Sequence, residues 1–240
     1  MAHASIDPAA YHVTLDVIAQ IHTPYDSKFG VPRQSGVVKG LESRIVFTPK
    51  YRTREALRGI EGYDYLWLIW SFSEAIRGNW SPTVRPPRLG GNERRGVFAT
   101  RSPYRPNPLA LSSVRLLRVE EDAEDGLVLI VDGVDMMDGT PIYDIKPYLP
   151  FSDSHPEARA GFAEKVVDAQ VQVDFPPALL AKLPSHLRDG AVAMLAQDPT
   201  PHYQKDPARI YGLAFAGSDI RFRVSDGVLT VVDVVSGLDG

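Results

Sequence analysis

The sequence predicts a mainly β chain, in which a barrel or closed mixed sheet precedes a smaller domain of short helices and strands. Six segments before residue 135 show the alternation or the apolar runs that are typical of strands. One clear helix candidate, Arg52–Arg58, lies among them, so the pattern does not fit alternating β-α-β units. The predicted strands are Tyr11–Ile21, Val37–Thr48, Tyr65–Phe72, Gly96–Thr100, Leu109–Val119 and Gly126–Val134.

One of these segments predicts the middle of the core. Tyr65–Phe72 (YLWLIWSF) is nearly all apolar and aromatic, which indicates a strand buried on both faces. The composition changes after a polar run near residue 155, so we divide the chain into domains 1–155 and 156–240. The second domain is predicted to contain helices and then strands, at Pro176–Leu183, Ser185–Leu195, Tyr211–Phe215, Ile220–Val224 and Val228–Val235.

Composition excludes several classes of function. The chain has 240 residues, of which 44% are hydrophobic, so it can form a packed core. The absence of cysteine excludes disulfides, thiolate catalysis and zinc–thiolate sites. The net charge of −4 means that nucleic acid can bind only through a local basic patch. No apolar stretch has the length of a membrane span and the histidines are scattered, so we expect a soluble cytoplasmic protein with no membrane partner and no metal.

The most unusual stretch is residues 85–108, RPPRLGGNERRGVFATRSPYRPNP, which contains six arginines and one acid. Five prolines exclude a helix and fix much of the backbone. Arginine side chains on a stiff loop suit the binding of carboxylate or phosphate, where planar bidentate donors matter. The simpler alternative is an irregular surface loop whose arginines serve solubility.

Three further stretches combine turn residues with polar groups. They are Asp26–Gly36 (DSKFGVPRQSG), Asp138–Tyr148 (DGTPIYDIKPY) and Leu195–Tyr203 (LAQDPTPHY). Each could be a plain connection, and the second could be a hairpin loop with a surface ion pair between Asp144 and Lys146. From the residues alone, the sequence predicts a site for an anion-bearing small molecule, together with contacts to structured RNA.

FGVPRQSG, the arginine-rich stretch, DGTPIYDIKPYLPF and LAQDPTPHY occur in this order, and together they resemble the TsaA-like family of tRNA methyltransferases. The resemblance implies a closed β-barrel N-terminal domain that binds S-adenosylmethionine and a small α+β C-terminal domain that contacts tRNA. It also implies methylation of N6 of threonylcarbamoyladenosine at position 37, in the anticodon loop, by a homodimer with the cofactor near the subunit interface. A non-catalytic RNA- or nucleotide-binding module on the same barrel remains an alternative, as does methylation of another small acceptor.

The resemblance also assigns residues to roles. The expected cofactor-binding residues are Pro32, Arg33, Gln34, Arg105, Asp138, Gly139, Thr140 and Pro141, and the expected tRNA-binding residues are Arg85, Arg88, Arg94, Arg95, Arg101, Lys146, Asp198, His202 and Tyr203. Either Arg33 or Arg105 could bind the cofactor carboxylate. Tyr143 and Asp144 are the candidate catalytic residues, since N6 must lose a proton. Because the cofactor positions precede residue 142, we expect the barrel to bind the cofactor without the C-terminal domain.

Overall fold

The computed structural model describes residues 12–75, 80–86, 93–166, 170–200, 206 and 208–237. Its N-terminal strands are β1 Ala19–His22, β2 Ser43–Phe47, β3 Tyr65–Ser71, β4 Thr83–Val84, β5 Arg95–Gly96, β6 Leu109–Asp122, β7 Gly126–Asp132 and β8 Thr140–Pro147. The remaining elements are α1 Pro150–Asp153, β9 Gln172–Asp174, α2 Pro177–Leu180, α3 Arg188–Leu195, β10 Tyr211–Phe215, β11 Ser218–Ser225 and β12 Val228–Ser236. The prediction of a mainly β chain with few helices is therefore confirmed.

Six of the strands pair antiparallel in the order β1-β2-β7-β6-β3-β8, and β8 pairs back onto β1 to close the barrel. Each of these strands thus has two hydrogen-bonded neighbours, which leaves the barrel without a free edge. Strands β4 and β5 form a separate two-stranded ribbon beside it.

Strand β3 is buried on one face, so the prediction of burial on both faces is wrong. Leu66, Leu68 and Trp70 point into the barrel and are at most 5% exposed, whereas Trp67 and Ile69 on the outer face are only partly buried. The short helix α1 meets this outer face, where Nε1 of Trp67 donates to Oδ2 of Asp153 at 2.8 Å. An apolar run alone does not distinguish a covered face from a partly open one.

Three other predicted elements differ from the structure. Gly96–Thr100 is not a strand, because Val97–Ala99 forms a 3-10 turn that buries Val97. Arg52–Arg58 forms a 3-10 turn over Arg54–Leu57 and not an α-helix. The first strand, Ala19–His22, overlaps the predicted Tyr11–Ile21 only at residues 19–21. The short β9 was not predicted, and it pairs in parallel with β12 at the edge of the second sheet.

The C-terminal part contains a four-stranded sheet in the order β10-β11-β12-β9. Its buried face includes Leu213, Phe215, Ile220 and Phe222, and all four are fully inaccessible to solvent. Helix α3 buries Ala191, Met194 and Leu195 on one side.

Helix α3 also lies against the loop before β2. A Cβ atom added at Gly190 would stand 2.2 Å from Cδ2 and 2.3 Å from Cγ of Leu41, which is itself only 1% exposed. The helix can therefore approach the barrel this closely only with glycine at position 190.

We predict that Gly190→Ala lowers the free energy of unfolding by about 1–3 kcal/mol, the usual cost of overpacking a filled core. Chemical denaturation measures it, with Gly62→Ala as the control because a Cβ there meets no atom within 4 Å. Equal stability of the two variants would contradict the close approach of α3 to Leu41.

Candidate functional site

A cavity of about 780 Å³ opens at one end of the barrel. Its wall combines the ends of β3 and β6 with three loops, which cover residues 28–34, 100–105 and 135–140. The volume falls within the range of roughly 300–1,000 Å³ that is typical of small-molecule sites. Apolar and aromatic side chains such as Trp70, Phe72 and Leu109 supply much of the wall. Four basic residues also line it, namely Lys28, Arg33, Arg101 and Arg105.

Five of the expected cofactor-binding residues line this cavity, namely Pro32, Arg33, Gln34, Arg105 and Thr140. They come from three separate loops, so the fold brings together positions that are more than 100 residues apart in the chain. Arg101, which was expected to bind tRNA, lines the same cavity.

The loop that carries Pro32, Arg33 and Gln34 is packed onto the C-terminal sheet. The ring of Phe29 stacks on Phe222 at 6.3 Å between centroids and on Tyr211 at 6.5 Å. Next to it, Gly30 has φ +105°, and a Cβ there would stand 2.3 Å from Cδ1 of Leu213. Glycine is needed at position 30 both for the backbone conformation and for this contact.

Hydrogen bonds join the same loop to the C-terminal domain. The Ala216 amide donates to the Pro24 carbonyl at 3.0 Å, and the Gly217 amide donates to the Asp26 carboxylate at 2.8 Å. Nη2 of Arg33 donates to the Asp198 carbonyl at 3.2 Å. The loop therefore reaches its position against the C-terminal sheet, while the expectation that the barrel binds the cofactor without the C-terminal domain stays a prediction.

The opposite wall is the proline-rich segment that includes Arg101 and Arg105. Nη1 of Arg105 donates to the carbonyl oxygens of Thr100 at 3.1 Å and Ser102 at 3.3 Å, which fixes the turn. Nη1 of Arg101 donates to Oε1 of Gln34 and so joins the two walls. Arg101 thus lines the cavity, whereas the sequence predicted only a contact with tRNA for it.

An acid that the sequence analysis missed lies inside the cavity. Asp135 follows β7 and lines the wall beside Ser112 and Trp70. Burial raises the pKa of the Asp135 carboxyl, against the opposing effects of hydrogen bonds from Ser112 and from the amides of Asp135 and Ser35 and the positive charge of Arg101. Its Oδ1 is buried without a hydrogen-bond partner among the described residues. The available signal was an acid flanked by the apolar Val134 and Met136 directly after a strand.

The DGTP turn borders the cavity and connects it to β1. Asp138 accepts hydrogen bonds from the Thr23 amide at 2.9 Å and from Nδ1 of His22 at 3.2 Å. Gly139 has φ +73° and donates from its amide to the Ile21 carbonyl at 2.9 Å. Thr140 lines the cavity, while Asp138, Gly139 and Pro141 lie outside its wall and hold the turn against β1.

The two candidate catalytic residues do not line the cavity. Asp144 forms an ion pair with Lys146 at 2.8 Å, and its Oδ1 accepts from the Ile145 amide at 2.9 Å. Tyr143 is the next residue along β8 and is likewise absent from the wall. The expected surface ion pair between Asp144 and Lys146 is present.

The remaining expected tRNA-binding residues are distributed over the surface. Arg85 and Arg94 are exposed, whereas Arg95 is partly buried, pairs with Glu93, and lies 5.9 Å from the ring centroid of Phe162. Asp198 has φ +47° and its carboxylate accepts from the Thr200 amide at 3.1 Å. Arg88, His202 and Tyr203 lie outside the described residues.

The described residues contain neither a membrane-spanning helix nor a metal-binding cluster. No helix in this part of the chain is long and apolar enough to cross a membrane. No group of three or more histidine, aspartate or glutamate side chains there is arranged to hold a metal ion.

Comparison with known proteins yields consistent matches. Residues 20–154 match the family model of the tRNA-methyltransferase O N-terminal domain, and residues 168–237 match that of the TrmO C-terminal domain. The chain is 41% identical over 217 residues to the tRNA (adenine(37)-N6)-methyltransferase of Escherichia coli, and the alignment covers 87% of this chain and 92% of the relative. A putative S-adenosylmethionine-dependent methyltransferase of Pseudomonas aeruginosa is 36% identical, over 92% of this chain and 96% of the relative. The crystal structure of TrmO from P. aeruginosa superposes with a TM-score of 0.76 at 29% identity, over 95% of this chain and 98% of that one.

We predict that Phe29→Ala weakens binding of S-adenosylhomocysteine by about tenfold, although Phe29 is not part of the cavity wall. Without the stack of Phe29, the loop that carries Pro32, Arg33 and Gln34 has to become ordered when the ligand binds. Each newly immobilised side chain reduces the binding free energy by about 0.5–1.5 kcal/mol. Calorimetry measures the affinity, with the exposed Phe98→Ala as the control. An unchanged affinity for the folded Phe29 variant would show that the C-terminal sheet does not position the loop.

Proposed function

Because the chain belongs to the tRNA-methyltransferase O family, we propose that it is an S-adenosylmethionine-dependent enzyme that methylates N6 of adenosine 37 in tRNA. The observation that supports this most strongly is a cavity of sufficient size whose wall contains most of the expected cofactor residues. We further propose that the adenosine carries a threonylcarbamoyl group, that it is reached in the anticodon loop, and that the reaction takes place in the cytoplasm.

The residues of the cavity fit the cofactor chemically. The guanidinium groups of Arg33 and Arg105 suit its carboxylate, since arginine donors match planar anions. The aromatic wall that includes Trp70 and Phe72 suits the adenine ring. The orphan carboxylate oxygen of Asp135 suits a positively charged group. When bound, the cofactor supplies an electrophilic methyl group, and the protein contributes chiefly the orientation of that group toward N6.

The turn of Asp138, Gly139 and Pro141 supports the site from outside the wall. Its contacts with Thr23 and Ile21 hold Thr140 at the cavity. We keep Asp138, Gly139 and Pro141 as proposed cofactor-binding residues that complete the site around the bound nucleoside. Tyr143 and Asp144 stay predictions for the catalytic role, without a place in the wall.

We propose that residues 1–155 form the cofactor-binding domain and that residues 156–240 contribute contacts to tRNA. Arg85, Arg94, Arg95 and Lys146 provide positive charge for phosphate groups on a chain whose net charge is −4. Asp198 lies beside Arg33 at the boundary of the two domains, so a nucleotide bound there would contact both.

We also propose that the enzyme works as a homodimer. The outer face of β6 exposes Leu109 and Leu111, which are 37% and 53% accessible, and both belong to the cavity wall. A second copy of the chain that covers these side chains would close the cavity from the open side and bury apolar surface. Light scattering measures the oligomeric state directly.

The proposed activity is tested with purified protein, S-adenosylmethionine and two preparations of the same tRNA, one with and one without the threonylcarbamoyl group. Mass spectrometry of the nucleosides should show one added methyl group on the threonylcarbamoyladenosine of the first preparation. Methylation of both preparations would contradict the proposed dependence on the threonylcarbamoyl group. Binding of both ligands without any methyl transfer would support a non-catalytic binding module instead.

We predict that replacing Arg94 and Arg95 together by alanine flattens the salt dependence of tRNA binding. Each lost phosphate contact should reduce the slope of log affinity against log salt by about 0.7–0.9. Filter binding between low and physiological salt measures the slope, and the pair Arg54→Ala with Arg58→Ala serves as a control that removes two surface arginines outside the arginine-rich stretch. Identical slopes for the wild type and the Arg94/Arg95 variant would exclude these two residues from phosphate binding.

A further inference from the structure

The proposed methyl transfer needs a proton acceptor in the cavity, and the two candidate catalytic residues, Tyr143 and Asp144, do not line it. N6 of the target adenosine carries a hydrogen that must leave when the methyl group is attached, and a positioned side chain can accept it. We propose that Asp135 is this proton acceptor, an inference that rests on the proposed methyl transfer to N6.

The first support is the position of Asp135. Two acids line the cavity in the described part of the chain, and one of them is Asp135. It lies beside Ser112 and Trp70, which are 2% and 5% exposed. Glu74, the other acid of this wall, lies at the rim with a side chain that is 63% exposed and 3.8 Å from Nζ of Lys28. Water can serve as proton acceptor at the rim, whereas an excluded site needs a protein group.

The second support is the hydrogen bonding around the carboxylate. Nε1 of Trp70 donates to Oγ of Ser112 at 2.9 Å, which directs the hydroxyl hydrogen of Ser112 away from the indole and toward Asp135. The carboxylate is thereby oriented, yet Oδ1 keeps an unused acceptor position among the described residues. An oriented carboxylate with a buried unpaired oxygen is suited to receive a proton from a bound molecule.

The third support is charge balance. A bond forms between N6 and the methyl carbon while the methyl–sulfur bond breaks and its electron pair stays on sulfur. The proton of N6 passes to Asp135, so the carboxylate becomes neutral in the same step in which the positive charge on sulfur disappears. Because the charges on sulfur and on Asp135 disappear together, neither is left unpaired in a poorly solvated cavity.

The basicity of Asp135 agrees with this role. Burial raises the pKa of its carboxyl above the ordinary value, which makes the ionised form a stronger base. The titratable and charged groups that face it are those of Lys28, Arg33, Glu74, Arg101, Tyr104 and Arg105 in the cavity wall, and Tyr25 behind it. The positive charge of Arg101 favours the ionised carboxylate, so Asp135 can lose its proton again after each turnover.

The proposal is tested with Asp135→Asn in the full chain, with the exposed Asp64→Asn as the matched control. Single-turnover methyl transfer should fall by at least about 100-fold in the Asp135 variant, the lower bound for loss of a general base. The control should keep the wild-type rate. Affinities for tRNA and for S-adenosylhomocysteine, whose sulfur carries no charge, should stay within about threefold of the wild type.

Stability provides a readout that is independent of activity. The pKa of Asp135 is higher in the folded chain than in the unfolded chain. The free energy of unfolding therefore falls as the pH rises from the pKa in the unfolded chain through the pKa in the folded chain. Asp135→Asn should therefore melt at a higher temperature than the wild type at pH 8, and the difference should shrink as pH falls toward 4. A lower melting temperature at pH 8 would show that the carboxylate has a structural role and would overturn the proposal.

Ser112→Ala is a second variant that keeps the carboxylate. Loss of a hydrogen bond to the ionised form should move the midpoint of the rate–pH profile to higher pH. If the unmodified protein transfers methyl groups, either of two results would overturn the role of Asp135. One is an unchanged midpoint in Ser112→Ala, and the other is an unchanged rate in Asp135→Asn. Absence of methyl transfer in the wild type would instead overturn the proposed function itself.

Discussion

The stack of Phe29 on Phe222 and Tyr211 determines where one wall of the cavity lies. The loop around Phe29 carries Pro32, Arg33 and Gln34 but takes no part in the strand pairing of the barrel. Its position comes from the C-terminal sheet, through the aromatic stack, the tight contact of Gly30 and the amides of Ala216 and Gly217. The site is therefore a product of both sheets, although its residues come almost entirely from the N-terminal part.

This arrangement joins one wall of the cavity to the loop after α3. Arg33 lines the cavity and also donates to the carbonyl of Asp198, which lies in the loop after α3. A change in that loop on binding RNA can thus reach the cavity through one side chain. Several basic side chains and the partly buried acid Asp135 line the same cavity. In the proposed function, the basic side chains attract and orient anionic groups, and Asp135 accepts the proton.

The sequence predicted the strand-rich character of the chain well, because alternation in β6 and the apolar run of β3 reflect burial in a sheet. It also predicted Pro32, Arg33, Gln34, Arg105 and Thr140, which the structure places around one cavity. Asp135 was missed because its importance depends on burial, which arises only when three loops meet. Arg101 was expected on the tRNA surface because sequence position alone does not say which way an arginine in a proline-rich loop points.

We propose that one cavity, formed at the barrel end by loops that depend on both sheets, binds the cofactor. A crystal structure of the chain with S-adenosylhomocysteine is the decisive measurement. We expect the ligand between residues 32–34 and 100–105, with its sulfur facing the side of the cavity that contains Asp135. Density for the ligand at any other place on the chain, with this cavity filled only by solvent, would exclude the proposed site.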